Sequence, residues 1–479
     1  MRGASPLGLF SMLWAAAAAL HHLEARPLAG LPIYPLVILL FVFPERIWAI
    51  AIFALAHGAL LVLDLPSAAN HSVLALLVDG LLLIGCAHLA IQRGDPSSAP
   101  RRLFAALRGP VRATVAVVYA FAIFHKLNSS FLDPTVSCAA SQLSKMFELH
   151  GFEGFRPPEW LFALNIPLTL ASEAAILVLL LWPRRAHLGA LVGLVFHTGL
   201  AWASFFDFAT VIFAMYLFFF SWESLETRLA ALPKWTRPCF LGSFAALAAI
   251  SFYFHGWVSS PTIVEGESFS LQADTLICLF WMAMIWPILL PLFAKAEGWR
   301  DEHRWTGVGV AWVVPLVALV NGATPYLGLK TVANYSMFSN LRTEGGRTNH
   351  LLLPSGRFSL AGYQNDLARV AFLQGSRPDT WPWWVRLGGG ERWVRRNARW
   401  VNALPNTRVP YAELRRTLQL WRDIGFTRVS LGFERAGKFQ RVEDAFQDAD
   451  LMRPMPLWER KLMAFRAVDD DGLESACRW

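Results

Sequence analysis

Four ionisable side chains sit where the sequence is otherwise as apolar as lipid. Lys126 follows His125 in the stretch YAFAIFHKLNSSFLDP, which closes a long apolar run; Glu173 lies within PLTLASEAAILVLLL, His197 within LVGLVFHTGL and Asp79 within LLVDGLLLIG. Such groups are costly in lipid-spanning segments, so a functional role is the default reading. An amine held where hydrocarbon meets water can shed its proton, because desolvation penalises the ammonium, and it can then act as a base. If the runs carrying these residues pack together, an amine, a carboxylate and an imidazole meet in one outward-opening cavity. Lys126 is then the base, with Glu173 or His197 setting its charge state or relaying the proton. The candidate catalytic set is Lys126, His125, His197 and Glu173. Plainer roles compete: a lysine at a helix end is commonly a snorkelling anchor, and a lone buried histidine is commonly hydrogen-bonded structure. A mid-span carboxylate needs a partner or a proton, and Asp79 has no partner that the sequence names.

A second polar cluster follows the last apolar run. Arg342, Glu344, Arg347, Asn349 and His350 surround the Gly345-Gly346 turn, and Arg342, Asn349 and His350 are the candidate substrate-binding residues if this cluster faces the outer mouth of the cavity. The alternative is a solvated surface loop. Between Trp381 and Trp400 lie five tryptophans and five arginines, a pattern that suits the bilayer interface and anionic headgroups, or equally a tryptophan core with solvated arginines. Asn128-Ser129-Ser130 and Asn334-Tyr335-Ser336 match the glycosylation triplet. The five cysteines, Cys86, Cys138, Cys239, Cys278 and Cys477, show no metal-ligand spacing, and no metal is expected. Cys138 and Cys477 could pair in an oxidising compartment, but free thiols are the expectation.

The elements that must position these residues belong to a membrane protein. Of 479 residues, 55% are hydrophobic and 16% charged, against about 25% charged in soluble domains. Apolar runs are expected as spans near 7–23, 28–43, 47–64, 72–91, 111–124, 161–182, 188–206, 208–222, 240–257, 271–294 and 306–322. The expected fold is mainly α: a polytopic bundle of about nine to eleven spans over residues 1–322, then a soluble α+β domain over 323–479. The first run resembles a secretory leader, but a second begins at Leu28, so an uncleaved first helix is expected. Net charge is +8, concentrated in loops. The loop with Arg93, Arg101, Arg102, Arg108 and Arg112 is expected in the cytoplasm, and alternation puts the N-terminus there too. The 125–160 loop and the C-terminal domain then fall on the opposite, extracytoplasmic side, with Glu265 and Glu267 in another outer loop. A topology charge therefore does not explain Lys126. No nucleic-acid motif and no fixed-period repeat occur. Within the C-terminal domain, Val429, Leu431 and Phe433 alternate on one strand face, Gly437 marks a hairpin turn before Phe439–Val442, and Tyr411–Ile424 reads as an amphipathic helix ending at Gly425.

The order FHKL at the end of one span, an acidic residue before ILVLLL, FH in the next span and then a phenylalanine-rich helix resembles the bacterial transmembrane relatives of vitamin K-dependent γ-carboxylase. That group is known as the horizontally transferred transmembrane (HTTM) domain family. The likeness covers about residues 110–326 and includes Thr324-Pro325-Tyr326. It implies a lyase-type membrane enzyme of the bacterial inner membrane with a periplasmic C-terminal domain. Lys126 would be the base, His125 would replace the first lysine of the family's pair, and His197 and Glu173 would take the Phe-His and acidic positions. The implied chemistry starts by deprotonating a reduced, vitamin K-like quinone. Oxygen then adds, an epoxide forms, and the base so generated takes a proton from a glutamate that captures carbon dioxide. The implied partners are membrane lipid, a lipophilic quinone-like substrate and a peptide or protein substrate. The segment NYSMFSNLRTEGGRTNHLLLP matches the carboxylase domain only loosely. Two other classes stand beside this one. A haem or quinone electron carrier would use His57, His88, His197 and His255, and a transporter or non-catalytic membrane partner would use the buried charges for a path or for packing.

Overall fold

The computed structural model describes residues 4–25, 31–66, 68–92, 94–152, 155, 157–203, 205–253, 267–294, 305–353, 360–387, 390–468 and 477. His255 and Glu265 lie outside them. The fold is mainly helical with a small C-terminal antiparallel sheet. The first fourteen helices are α1 Pro6–Ala25, α2 Tyr34–Val42, α3 Ile47–Asp64, α4 Asn70–Gln92, α5 Ala99–Lys126, α6 Ser129–Leu132, α7 Cys138–Leu149, α8 Glu159–Leu181, α9 Ala186–Ala201, α10 Phe206–Tyr216, α11 Trp222–Ala231, α12 Thr236–Ser251, α13 Glu267–Ala294 and α14 Val313–Leu327. Every expected apolar run contains a helix. Seven helices among the described residues are long and apolar enough to cross a membrane, and a further pair, Phe206–Phe219 and Trp222–Ala231, meets the criterion together but bends by 117°. The expectation of nine to eleven spans also included shorter helices, such as the nine residues of α2, that do not meet this length among the described residues.

The chain divides into two compact units, residues 1–60, 74–123 and 139–319, and residues 61–73, 124–138 and 320–479. In the first unit α1 packs on α2, α10 and α12, α9 packs on α8, α10 and α13, and α12 packs on α13. Helix α1 is apolar all round, and its residues from Leu7 to Leu20 are buried, as such a helix requires. Helix α5 carries Pro110 in its interior. A proline there lacks an N–H and crowds the carbonyl four residues back. The Ala106 carbonyl accepts instead from Val308 N–H at 3.2 Å, and Gly109 N–H donates to the Thr306 carbonyl at 2.9 Å. The approach needs two glycines, because a Cβ at Gly109 would run into the Thr306 carbonyl and one at Gly307 into the Pro110 ring.

The basic loop expected before the fifth span is largely helix, since α5 starts at Ala99 rather than near 111. Arg108 and Arg112 are buried, and they donate to the Phe218 and Phe219 carbonyls at 3.3 and 3.2 Å. Those carbonyls lie at the break between α10 and α11, where helix-end acceptors lack intrahelical donors and a cation is favoured. Ser221 caps the restarted helix by accepting from Ser224 N–H.

In the second unit, strands β1 Leu367–Gly375, β2 Thr407–Pro410, β3 Val429–Arg435 and β4 Lys438–Val442 form an antiparallel sheet in the order β2-β1-β3-β4. Short helices α15 Trp383–Leu387 and α16 Glu391–Asn397 precede the amphipathic α17 Tyr411–Asp423, and α18 Leu457–Leu462 follows the sheet. Leu414, Leu418 and Trp421 of α17 share one face and pack with Val429, Leu431 and Phe433 in the core. The expected β3–β4 hairpin turns through Ala436 and Gly437, both at positive φ, as tight hairpin turns require. Trp393 and Trp400 belong to this core while Trp383 is exposed and Arg395 is solvated, which mostly favours the core reading of the tryptophan–arginine run.

Earlier parts of the chain are tied into this unit. Arg396 pairs with Asp64 at 2.7 Å, Lys461 Nζ reaches the Leu65 carbonyl at 3.3 Å, and Asn70 Oδ1 accepts from Tyr335 N–H. Cys138 and Cys477 form a disulfide across 339 residues of sequence. The expectation of two free thiols is corrected here: chain topology, which spacing does not reveal, brings their Cα atoms within 4.7 Å.

Candidate functional site

The first unit holds a polar centre inside its apolar helices. Tyr119 of α5 places its hydroxyl 2.5 Å from His197 Nε2 of α9, and it also hydrogen-bonds the Tyr216 hydroxyl of α10. Glu173 of α8 is buried, near enough to both tyrosine hydroxyls to interact with them electrostatically. The His197 ring is walled by Phe196, Phe208 and Phe213, at 5.1, 5.3 and 6.1 Å between centroids. Gly193, one turn before His197, opens the space that Tyr216 fills, since a Cβ there would overlap the tyrosine ring and hydroxyl. Two residues chosen from sequence, Glu173 and His197, thus share one neighbourhood with two tyrosines that were not chosen. An imidazole–hydroxyl–hydroxyl chain of this kind, His197 to Tyr119 to Tyr216, can pass a proton along its length.

Asp79 has the partners that the sequence could not name. Its Oδ1 accepts from Trp14 Nε1–H at 2.9 Å, and its Oδ2 lies 2.8 Å from His57 Nδ1, with His57 and Asp79 both buried. Ionisable groups deep in apolar surroundings pair in this way. Elsewhere in the unit His21 Nδ1 stands 3.2 Å from Asp207 Oδ2.

The second unit holds His125 and Lys126, which are 0% and 4% exposed. Lys126 is thus not an anchor reaching into water. Its Nζ sits 5.9 Å from the Phe131 ring centroid, within range of a cation–π contact. His125 Nε2 donates to the Gly322 carbonyl at 3.1 Å, and its ring lies 5.5 Å from that of Tyr326. Phe124 and His350 complete an aromatic cluster, 4.4 Å apart.

Asn349 organises the segment that bears these residues. Its Nδ2 donates to Asn128 Oδ1, Ser130 Oγ and the Asn340 carbonyl at 3.2, 2.9 and 2.8 Å, and its Oδ1 accepts from Arg342 N–H at 2.9 Å. His350 donates from Nε2 to the Phe124 carbonyl at 2.9 Å and accepts at Nδ1 from Leu352 N–H at 3.1 Å. That arrangement holds the neutral tautomer, and burial also pulls its pKa below the ordinary value, against a smaller upward pull from the bond to Phe124. The surface-loop alternative is corrected for Arg342, Glu344, Asn349 and His350, all of which are buried; only Arg347 of that group is exposed.

The glycosylation triplets are corrected too. Asn128 and Asn334 are both 0% exposed, and Asn128 Nδ2 donates to the His125 carbonyl at 2.7 Å and to the Ser339 carbonyl at 2.5 Å. A strained stretch surrounds Asn334: Ala333, Tyr335, Phe338 and Asn340 all have φ between 54° and 66°. Each such residue costs about 1 kcal/mol or more, and such strain gathers at functional sites. Asn340 is pinned by its side chain, which donates to the Val136 carbonyl and accepts from Cys138 N–H at 2.8 and 2.7 Å. Sequence offered one signal for this stretch, its density of Asn and Ser, which tolerate the left-handed region or bond locally.

The predicted residues therefore fall into two groups. Glu173 and His197 belong to the first unit with Tyr119 and Tyr216, while His125, Lys126, Arg342, Asn349 and His350 belong to the second. No family model matches the chain, and neither a curated protein nor a solved structure is found to be similar to it.

Proposed function

We propose that the chain is an integral membrane enzyme resembling the vitamin K-dependent γ-carboxylases, in which Lys126 is the base toward a reduced quinone or a similar lipophilic substrate. The observation that carries this reading is the burial of Lys126 and His125 at the end of a helix long and apolar enough to cross a bilayer. A buried amine beside Phe131, with Phe124, Tyr326 and His350 in the same unit, suits a flat aromatic headgroup whose hydroxyl proton the amine would take. The strained 333–340 stretch supports a functional role for this unit. An extracytoplasmic location for it draws support from the Cys138–Cys477 disulfide, a bond that persists outside the reducing cytosol. The arginine excess before α5 argues the same way, though Arg108 and Arg112 contribute less to it than a free loop would.

A second reading, a non-catalytic membrane partner, is favoured by the complete internal commitment of the Asn349 and His350 polar atoms. The electron-carrier reading loses ground, because His57 and His197 each direct a ring nitrogen to an internal partner.

The test is turnover of a naphthoquinol by the full-length protein in lipid nanodiscs under air, with epoxide formation followed by mass spectrometry. Lys126→Ala should fold and abolish the product. Equal product from the variant and the parent rejects the role of Lys126.

A further inference from the structure

We propose that the second unit is held at the bilayer surface by a collar of outward-facing apolar side chains, Leu351, Leu352 and Leu360 together with Leu457, Trp458 and Leu462 of α18, and that their partner is lipid at the boundary between headgroups and acyl chains. All six are exposed. Helix α18 has the reverse of the pattern that water selects. Its polar side chains are committed to the protein: Glu459 Oε1 accepts from the Tyr363 hydroxyl at 3.0 Å, Arg460 Nη1 donates to Asp423 Oδ2 at 2.8 Å, and Lys461 Nζ donates to the Val62 and Leu65 carbonyls at 3.5 and 3.3 Å. Leu457, Trp458 and Leu462 are left outside, where a helix on a soluble surface carries its polar residues. The membrane interface suits such a face, because it favours tryptophan and takes up the apolar side of a segment lying in its plane.

Each part of the collar is tied to the end of a helix long and apolar enough to span. Lys461 joins α18 to the end of α3, as above. Leu351 N–H donates to the Leu127 carbonyl, one residue past α5, at 2.9 Å, and Ala361 N–H, next to Leu360, donates to the carbonyl of Leu327, the last residue of α14, at 3.1 Å. Helices α3, α5 and α14 are three of the seven that meet the criterion for crossing a membrane, and these three ends belong to one unit. Span ends on one side of a bilayer lie at its interface, so the hydrogen bonds fix the six side chains close to that level. Exposure alone does not select them. Phe439 is 61% exposed, much as Leu352 is at 63%, yet it lies on β4, an outer strand of the sheet that pairs with β3; it is expected to face water. Because Lys126 ends α5, the collar also sets the depth of the proposed base. It rests on the membrane part of the reading above and not on the enzyme part.

The test is photolabelling of the full-length protein in phosphatidylcholine nanodiscs, with a diazirine carried either near the carbonyl end of the acyl chain or at its methyl end, and adducts mapped by mass spectrometry. The collar residues should carry adducts, more from the shallow probe than from the deep one. Leu168, exposed in the middle of α8, should show the reverse ratio, and Phe439 should carry none. A collar without adducts while Leu168 is labelled overturns the collar and leaves the membrane reading standing. Absence of label from Leu168 as well removes the membrane reading and the collar with it. Equal labelling of the collar and Phe439 overturns the proposal, because the probe then reports exposure alone. Cross-links between two copies of the chain at α18, in place of lipid adducts, also overturn it and make the patch a dimer face. Turnover does not enter this readout, so an inactive protein with a labelled collar refutes the enzyme reading alone.

Discussion

The His57–Asp79 pair gives the sharpest energetic test of the first unit. Asp79 has two partners, His57 Nδ1 at 2.8 Å and Trp14 Nε1 at 2.9 Å, and all three residues are at most 2% exposed. Replacing Asp79 with Leu strands the imidazole and the indole N–H together. Removing one member of a buried pair costs about 3–5 kcal/mol, of which an orphaned indole donor accounts for about 1–3 kcal/mol. His57→Leu strands the carboxylate with only the indole, at about 3 kcal/mol. Were the two effects independent, the double variant would lose about 6–8 kcal/mol. Because both substitutions remove the same interaction, the double variant should lose only about 1–3 kcal/mol, the share belonging to Trp14. A coupling energy of about 3 kcal/mol or more follows. The assay is reversible unfolding of the four proteins in mixed micelles titrated with a denaturing detergent. Additive losses, within about 0.5 kcal/mol, would refute the reasoning.

Three further outcomes are expected. Gly193→Ala should displace Tyr216 and break its link to Tyr119, destabilising the protein by about 1–3 kcal/mol; an unchanged unfolding midpoint would mean that the tyrosine packing is softer than described. Asn349→Ala removes four hydrogen bonds at the centre of the second unit and should cost about 3 kcal/mol or more, with protease cleavage appearing first between residues 333 and 350. Lys330 is held by burial at a pKa of about 8 rather than 10.5. The unfolded chain therefore binds more protons between those values, so stability should rise with pH across that window, by up to about 3 kcal/mol. Below pH 8 the amine is charged in both states and the curve should be flat. Lys330→Met should remove the rise, and a parent curve without one would contradict the shift.

What the sequence disclosed was the set of residues that break a pattern. Glu173, His197 and Asp79 stood out because a charge interrupts a lipid-like run. Tyr119 and Tyr216 did not, since a tyrosine in a phenylalanine-rich span looks like core. The pairing of His57 with Asp79 depends on how α3 packs against α4, and periodicity within either helix carries no such information. Arg108 and Arg112 read as loop charges because the helix interior containing Pro110 looks broken, yet the carbonyls they satisfy lie about a hundred residues away at the α10–α11 bend. In the C-terminal segment, alternation and turn residues gave the β3–β4 hairpin and α17 directly, both being local. Asn128, Asn334 and the Cys138–Cys477 bond depend on distant partners, and there short motifs misled.

The exchange of backbone hydrogen bonds around Pro110 has a consequence for biogenesis. Until the ribosome has delivered residues 306–308, the Ala106 carbonyl has no donor waiting for it within its own helix. In hydrocarbon that gap is expensive. Helix α5 would therefore have to linger in a water-accessible or chaperoned setting until nearly two hundred more residues are made, and truncations ending before Thr306 should yield nascent chains marked for degradation rather than a smaller stable bundle.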